Sequence, residues 1–406
     1  MKKVLGLAFV LMTMFILVGC AEDEVKELQM LWWSDGTEGT VMQTLLDQYF
    51  EETGVTIELV TVPYADYETR LATMISGGEA PALARVTEGH LNNFKAQIVG
   101  LDDVYDTEGF TNLFYNADGD VISLPMDITA NGLFVNLDLT EKYNVNLPTL
   151  TDVWTWAEFE TEMSKLNAGL DDDVIAPGLF DHQGHRFMPL FYQHGIDLWD
   201  TPYTVSNLKS TQAVAVVQMM MDFYDEGFLG EQTYVTKNSA SLFRAGGYGF
   251  HMSGNWNVSG YQNLEFDWTV VPMPQGTERA TILGGKSLAA FQNEDGVVKA
   301  SKKFIEWMAE GEQHDAYTGG VPYLTPRLGA EVDYGTFADQ YEVFLSEIAA
   351  TDADHVQDWL AQVMIPGMYP IINTFVENLA NPDRTKTALE LLTDLETALK
   401  AVAPTA

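Results

Sequence analysis

The chain has 406 residues, 46% of them hydrophobic, which is enough for two or three domain-sized cores. Asp and Glu number 59 against 21 Lys and Arg, a net charge of −38. A body so acidic repels nucleic acid and anionic headgroups, which excludes both as ligands, and it makes chance carboxylate pairs too common to mark an acid–base site.

The first predicted element is a leader. Lys2 and Lys3 precede an apolar run from Val4 to Val18, the length of a signal-peptide core and short for a membrane span. Leu17-Val18-Gly19-Cys20 closes the run and resembles the lipobox of bacterial lipoproteins. That resemblance implies cleavage before Cys20, lipid on its thiol, and a body tethered to the cell membrane on its outer (or periplasmic) side. Cys20 is the sole cysteine, so none remains for a disulfide, a thiolate metal site or a nucleophile.

After a charged spacer (20–27), strands and helices alternate. Leu28–Trp33 reads as a buried strand, and Glu38–Thr53 as a helix with Val41, Leu45, Leu46, Tyr49 and Phe50 at helical spacing, stopped by Gly54. Val55–Val62 is a strand, Tyr64–Ser76 a helix, and Ala82–Val86 a third strand. The alternation predicts an α/β fold with a largely parallel sheet, whose ligands sit beyond the strand ends, after Trp33, Pro63 and Val86. Further on, Gly132–Asn136 is a strand, and Trp156–Leu166 a helix opened by a Thr155/Glu158 capping box. Leu208–Tyr224 is a long helix whose Met219–Met221 run fills core. Trp268–Pro274 reads as a strand, Gly284-Gly285 marks a crossing, and Lys299–Met308 is a helix. Pro322, Pro326 and Gly329 form a linker before a mostly helical stretch to Lys400.

Catalytic and metal signatures are lacking: there is no Gly-x-Ser-x-Gly, no phosphate-binding loop and no His-Glu-x-x-His. His182, His185 and His194 fall in a Gly-containing region read as loop, without a completing carboxylate, so hydrogen-bonded or surface histidines are expected and neither metal nor cofactor is assigned. Aromatic residues beside turn and polar residues stand out instead, in Trp32-Trp33-Ser34-Asp35-Gly36, Pro63-Tyr64-Ala65-Asp66-Tyr67 and Ser253-Gly254-Asn255-Trp256-Asn257. Sugars fit such a set: their C–H faces stack on rings and their hydroxyls pair with polar side chains. Core packing is the alternative for any one ring. Trp256 and one of Trp32 and Trp33 are the strongest candidates for stacking.

Several segments, in order, resemble the bacterial ABC-transporter extracellular solute-binding proteins of family 1, the sugar-binding, maltose-binding-protein-like group. They are Tyr67-Glu68-Thr69-Arg70-Leu71 with Ile75–Pro81, Leu124-Pro125 with Gly132–Leu139, Thr155-Trp156-Ala157-Glu158-Phe159, Phe243–Gly246 with Met252–Trp256, and Leu283–Leu288. Ala82-Leu83 and Lys286 depart from the family pattern, the latter standing where an aromatic is usual. The resemblance implies a two-lobed periplasmic-binding-protein-like fold (type II), each lobe a sheet flanked by helices. The expected lobes are 28–128 plus 284–326 and 129–283 plus 327–406, joined by crossings near Ile128–Asn131, Thr281–Gly284 and Thr325–Val332. It implies ligand contacts from Ser34 and Asp35, Thr87 and Glu88, Asp127 and Thr129, Trp256, Gly285 and Lys286, and Tyr369, beside Trp33 and Tyr64 from the aromatic pattern.

The implied activity is reversible capture of a sugar or oligosaccharide by lobe closure, without chemistry, and delivery to ABC permease subunits by a lipid-anchored monomer. A polyamine, peptide or organic anion is the alternative ligand, with Asp35, Asp127 and Glu88 serving a polyamine. A surface glycoside hydrolase is a third reading and would need two carboxylates set across the cleft.

Overall fold

The computed structural model describes residues 25–403, apart from Asp35, Ala117, Asp171, 201–203, Lys237, Pro322 and Pro366. The leader, Cys20 and the expected contact Asp35 lie outside the described residues. In chain order the strands are β1 (Glu27–Trp32), β2 (Thr56–Thr61), β3 (Leu83–Val86), β4 (Leu124–Thr129), β5 (Asn131–Asn136), β6 (Ala176–Phe180), β7 (Trp199–Asp200), β8 (Thr204–Val205), β9 (Tyr248–Gly254), β10 (Trp268–Val271) and β11 (Gly284–Ala290). They form a five-stranded sheet, β2-β1-β3-β11-β4, a four-stranded sheet, β10-β5-β9-β6, and the small β7-β8 ribbon.

The first sheet is parallel through β2, β1 and β3, as the strand–helix alternation predicts. It then departs from expectation, because β11 runs antiparallel to both β3 and β4. The chain leaves this sheet through β4 and re-enters it from the second sheet, so the returning strand runs the other way. The second sheet is mixed, with only β6 and β9 parallel.

Alternation along β1 divides the first core. Met30 and Trp32 enter one hydrophobic cluster, while Leu31 and Trp33 enter the cluster on the opposite face. In β5, Leu133 and Val135 likewise oppose Phe134. The helix Glu38–Thr53 stops at Gly54, whose φ of 72° is left-handed and whose N–H bonds back to the Phe50 carbonyl. The Thr155/Glu158 capping box opens the helix Trp156–Ser164. Met220 and Met221 are buried in the second core, with Met219 packed against it.

Three segments join the sheets. A single residue, Ala130, separates β4 from β5. The Asn255 side chain straps this crossing, donating to the Ile128 carbonyl at 3.0 Å and accepting from the Ala130 N–H at 3.1 Å. The Asn131 N–H donates to Thr281 Oγ1 at 2.8 Å, tying the first crossing to the one that precedes β11. The Ile128 N–H donates to the Leu324 carbonyl at 2.8 Å, bringing in the third. Four helices finish the chain, Ala338–Ala350, Ala353–Met364, Met368–Ala380 and Ala388–Val402.

The histidine region is corrected. Gly184–Tyr192 is a helix with Pro189 inside it. Proline lacks the N–H that would reach the carbonyl four residues back, that of His185. The Asn131 amide donates to that carbonyl instead, at 2.6 Å. No group of three or more metal-ligating side chains occurs among the described residues.

Candidate functional site: the cleft between the sheets

A cleft of about 590 Å³ opens between the two sheets. It is lined by Trp33, Tyr64, Thr87, Glu88, Thr129, Trp256, Gly285, Lys286 and Tyr369 among the residues expected from sequence. Two expected contacts sit elsewhere. Ser34 is exposed and outside the lining. Asp127 is fully buried and also outside the lining, with its Oδ1 3.5 Å from Lys286 Nζ.

On the first sheet's side, Trp32 is sealed in the core behind, and Trp33 lies in the wall, itself 1% exposed. Trp33 is held by Tyr67 and Tyr64, with ring centroids at 4.6 and 5.3 Å. Behind it runs the buried Arg85, which donates to the Trp33 carbonyl at 2.7 Å and lies 4.5 Å from the ring centroid. Arg85 also meets the buried Glu38 at 3.4 Å, and Glu38 accepts from the Tyr323 hydroxyl and, at 2.6 Å, from the Gly36 N–H. Tyr64 is 56% exposed, at the mouth.

Thr87 caps the helix Glu88–Phe94, accepting from the His90 N–H and donating its own N–H to His90 Nδ1. Burial pulls His90 down to about 4, so the ring is neutral and free to accept. Glu88 projects into the floor; among the described residues its Oε1 has no hydrogen-bond partner. Burial pushes its carboxyl up to about 7, against hydrogen bonds from the backbone and the pull of Lys286.

Gly284 and Gly285 are needed here for space rather than for φ. A Cβ on Gly285 would fall 2.2 Å from the Asp127 carbonyl oxygen, and one on Gly284 would fall 2.8 Å from Thr129 Oγ1. The close passage of β11 over β4 brings the Lys286 ammonium between Asp127 and two rings, Tyr323 at 5.0 Å and Trp256 at 5.8 Å.

On the second sheet's side, Trp256 follows β9. Its six-membered ring lies on Gly254, where a Cβ would meet Cζ3 at 1.9 Å. Arg186 lies 5.3 Å from the same ring centroid and pairs with Asp181 at 3.2 Å. Tyr369, at the start of the helix Met368–Ala380, meets the His185 ring through a 2.5 Å hydrogen bond. Trp359 adds another ring to the lining, edge-on to Tyr369 at 6.0 Å.

Sequence reasoning missed His185, Arg186 and Trp359. Gly184 and Gly195 hid the first two, because they made the region read as loop. Trp359 carried no turn or strand-end signal, since it sits inside the helix Ala353–Met364. The charges here balance locally, because Arg85, Arg186 and Lys286 each face a buried carboxylate.

Residues 44–341 match the family of bacterial extracellular solute-binding proteins. The chain belongs to that family. Among its relatives, a binding protein of Brucella abortus is 23% identical over 289 residues, covering 66% of this chain and 69% of that one. In fold, the solute-binding protein matches an ABC substrate-binding protein of Listeria monocytogenes solved in complex with cycloalternan. The TM-score is 0.78 at 18% identity, over 93% of this chain and 99% of that one. UgpB of Mycobacterium tuberculosis, in complex with glycerophosphocholine, matches with a TM-score of 0.77 at 16% identity, over 92% and 97% of the two chains. A maltose-bound protein of T. maritima matches with a TM-score of 0.74 at 20% identity, over 92% and 99%. The fold is thus the two-lobed, type II binding-protein fold, and the family consists of binding proteins.

Proposed function

We propose that this solute-binding protein captures a neutral oligosaccharide in the cleft and delivers it to an ABC permease. The lining carries this reading. Rings on both sides, Tyr64 against Trp256 and Tyr369, offer apolar surface for sugar faces, with the buried Trp33 and Trp359 packed behind them. The cations around the floor are matched by their own carboxylates, and Glu88 is mostly neutral below about 7. Such a floor favours an uncharged ligand over an organic anion or a polyamine. The solved relatives bound to cycloalternan and maltose support a sugar, while the one bound to glycerophosphocholine makes a charged headgroup the competitor to test.

The two bodies that close on the ligand are 28–128 with 284–326 and 129–283 with 327–406. Ligand touching both walls favours the closed arrangement by its differential affinity for it. The body works as a monomer held to the membrane by lipid on Cys20, and two or more acyl chains suffice, at about 0.8 kcal/mol per buried methylene.

A thermal-shift screen followed by calorimetry tests the ligand class, using maltotriose, isomaltotriose, raffinose, glycerophosphocholine, spermidine and citrate. At least one oligosaccharide is expected to raise the melting temperature by several degrees and to be recovered unshortened. A shift confined to spermidine, citrate or glycerophosphocholine would refute the carbohydrate reading, and release of shorter sugars would favour a hydrolase.

A further inference from the structure

The cleft wall built by the helices Gly184–Tyr192 and Met368–Ala380 has a hydrogen-bond polarity that the residues themselves dictate. A guanidinium only donates. Arg186 Nη1 lies 3.0 Å from His185 Nε2, so that nitrogen is the acceptor and the imidazole is neutral, with its proton on Nδ1. Nδ1 in turn lies 2.5 Å from Tyr369 Oη, so the ring donates and the phenol oxygen accepts. The opposite tautomer would set an N–H against an N–H at Arg186.

The chain is fixed at its far end. Arg186 is 6% exposed and pairs with Asp181, itself 6% exposed, at 3.2 Å. Ser253 and Gln183 accept from the remaining guanidinium edges at 3.3 and 2.9 Å. The two helices approach closely because residue 184 is glycine: a Cβ there would fall 2.9 Å from Ile372 and 3.2 Å from the Tyr369 ring. Burial keeps the His185 ring neutral and the Tyr369 phenol protonated. Among the described residues, Tyr369 Oη has no hydrogen-bond partner other than His185, so its proton is left for the cleft.

We propose that Tyr369 is a specificity-determining residue that meets the ligand as a donor, with His185 and Arg186 as positioning residues that fix this polarity. The ligand must then present an acceptor oxygen to this wall, whether a ring oxygen, a glycosidic oxygen or a hydroxyl lone pair. The N–H groups of a polyamine would oppose the Tyr369 proton. This inference rests on the carbohydrate reading for its ligand and not for its polarity, and the experiment separates the two.

The first arm needs no ligand. Long-range proton–nitrogen NMR of the protein labelled with ¹⁵N-histidine, with His185→Gln as the assignment variant, reads the tautomer. A neutral His185 protonated on Nδ1 from pH 5.5 to 8 is expected; an Nε2-protonated ring, or titration inside that window, overturns the proposal. The second arm is a calorimetric double-mutant cycle with the best saccharide from the screen. Tyr369→Phe is expected to weaken binding at least tenfold and His185→Phe at least threefold. The double variant should bind no more weakly than Tyr369→Phe alone, because His185 acts through the hydroxyl. Additive losses, or Tyr369→Phe binding as well as the unaltered protein, overturn the proposal. Failure of every saccharide to bind refutes the carbohydrate reading, and the tautomer still decides the polarity.

Discussion

Trp256 lines the cleft with its six-membered ring seated on Gly254. Trp256→Ala is expected to weaken saccharide binding at least tenfold, about 1.4 kcal/mol, with the circular dichroism spectrum unchanged. Gly254→Ala should reproduce most of that loss, since the new methyl drives the ring off its seat. Full affinity in both variants would remove Trp256 from the site. Glu88 makes a separate prediction. Its carboxyl stands near 7 rather than the ordinary 4.5, so below 4.5 it is protonated in folded and unfolded chain alike. Between 4.5 and 7 the unfolded chain ionises first, and the folded protein loses stability as pH rises. Glu88→Gln removes that slope. From pH 4.5 to 8, the unfolding free energy of the unaltered protein should fall relative to the variant by about 3 kcal/mol. A constant difference measured by urea unfolding would contradict the buried placement of Glu88.

Among the elements, β1 and the helix Gly184–Tyr192 mark the range of what could be read from the chain. The apolar run Leu28–Trp33 announced a strand, and period two divides its tryptophans. The face each would take could not be read, because both sides of β1 are covered. The first three strands and their helices carried clear periodicity and glycine stops, as did the capping box at Thr155. The direction of β11 was illegible, because it depends on where the chain re-enters the sheet, a long-range fact with no local pattern. The helix at Gly184 was missed because Gly184 and Gly195 read as loop punctuation, and the Asn131 amide that satisfies the carbonyl freed by Pro189 comes from a distant strand. Asp127 was expected at the cleft surface, but the tight passage of Gly285 places it beneath Lys286. Two variants probe these joints. Asn131→Ala leaves the His185 carbonyl without that bond and should cost about 1–3 kcal/mol in thermal or urea unfolding. Arg85→Met leaves Glu38 buried without its guanidinium and should destabilise by about 3–5 kcal/mol in the same measurement. Stability unchanged in either would mean that the buried contact is not made.

At the scale of the whole molecule, a net charge of −38 opposes compaction at low ionic strength. Sodium chloride from 10 mM to 0.5 M is expected to raise the melting temperature as the repulsion is screened, and a flat or falling profile would argue against that repulsion. Contact across the cleft is already present: Leu360 of the helix Ala353–Met364 packs against the cluster containing Trp33 and Tyr67, and Trp256 packs against the cluster containing Trp32. The lone Ala130 between β4 and β5 has a mechanical consequence. Neighbouring Cα atoms are only about 3.8 Å apart, so in the proposed closure the bodies would not draw away from each other there but swing about a pivot. Thr129 and the β11 glycines ride on short lever arms, whereas Tyr64 rides on a long one. In the closure proposed above, a docking ligand would find the short-arm groups in register first, and substitutions near the pivot should slow arrival while those far out should hasten departure.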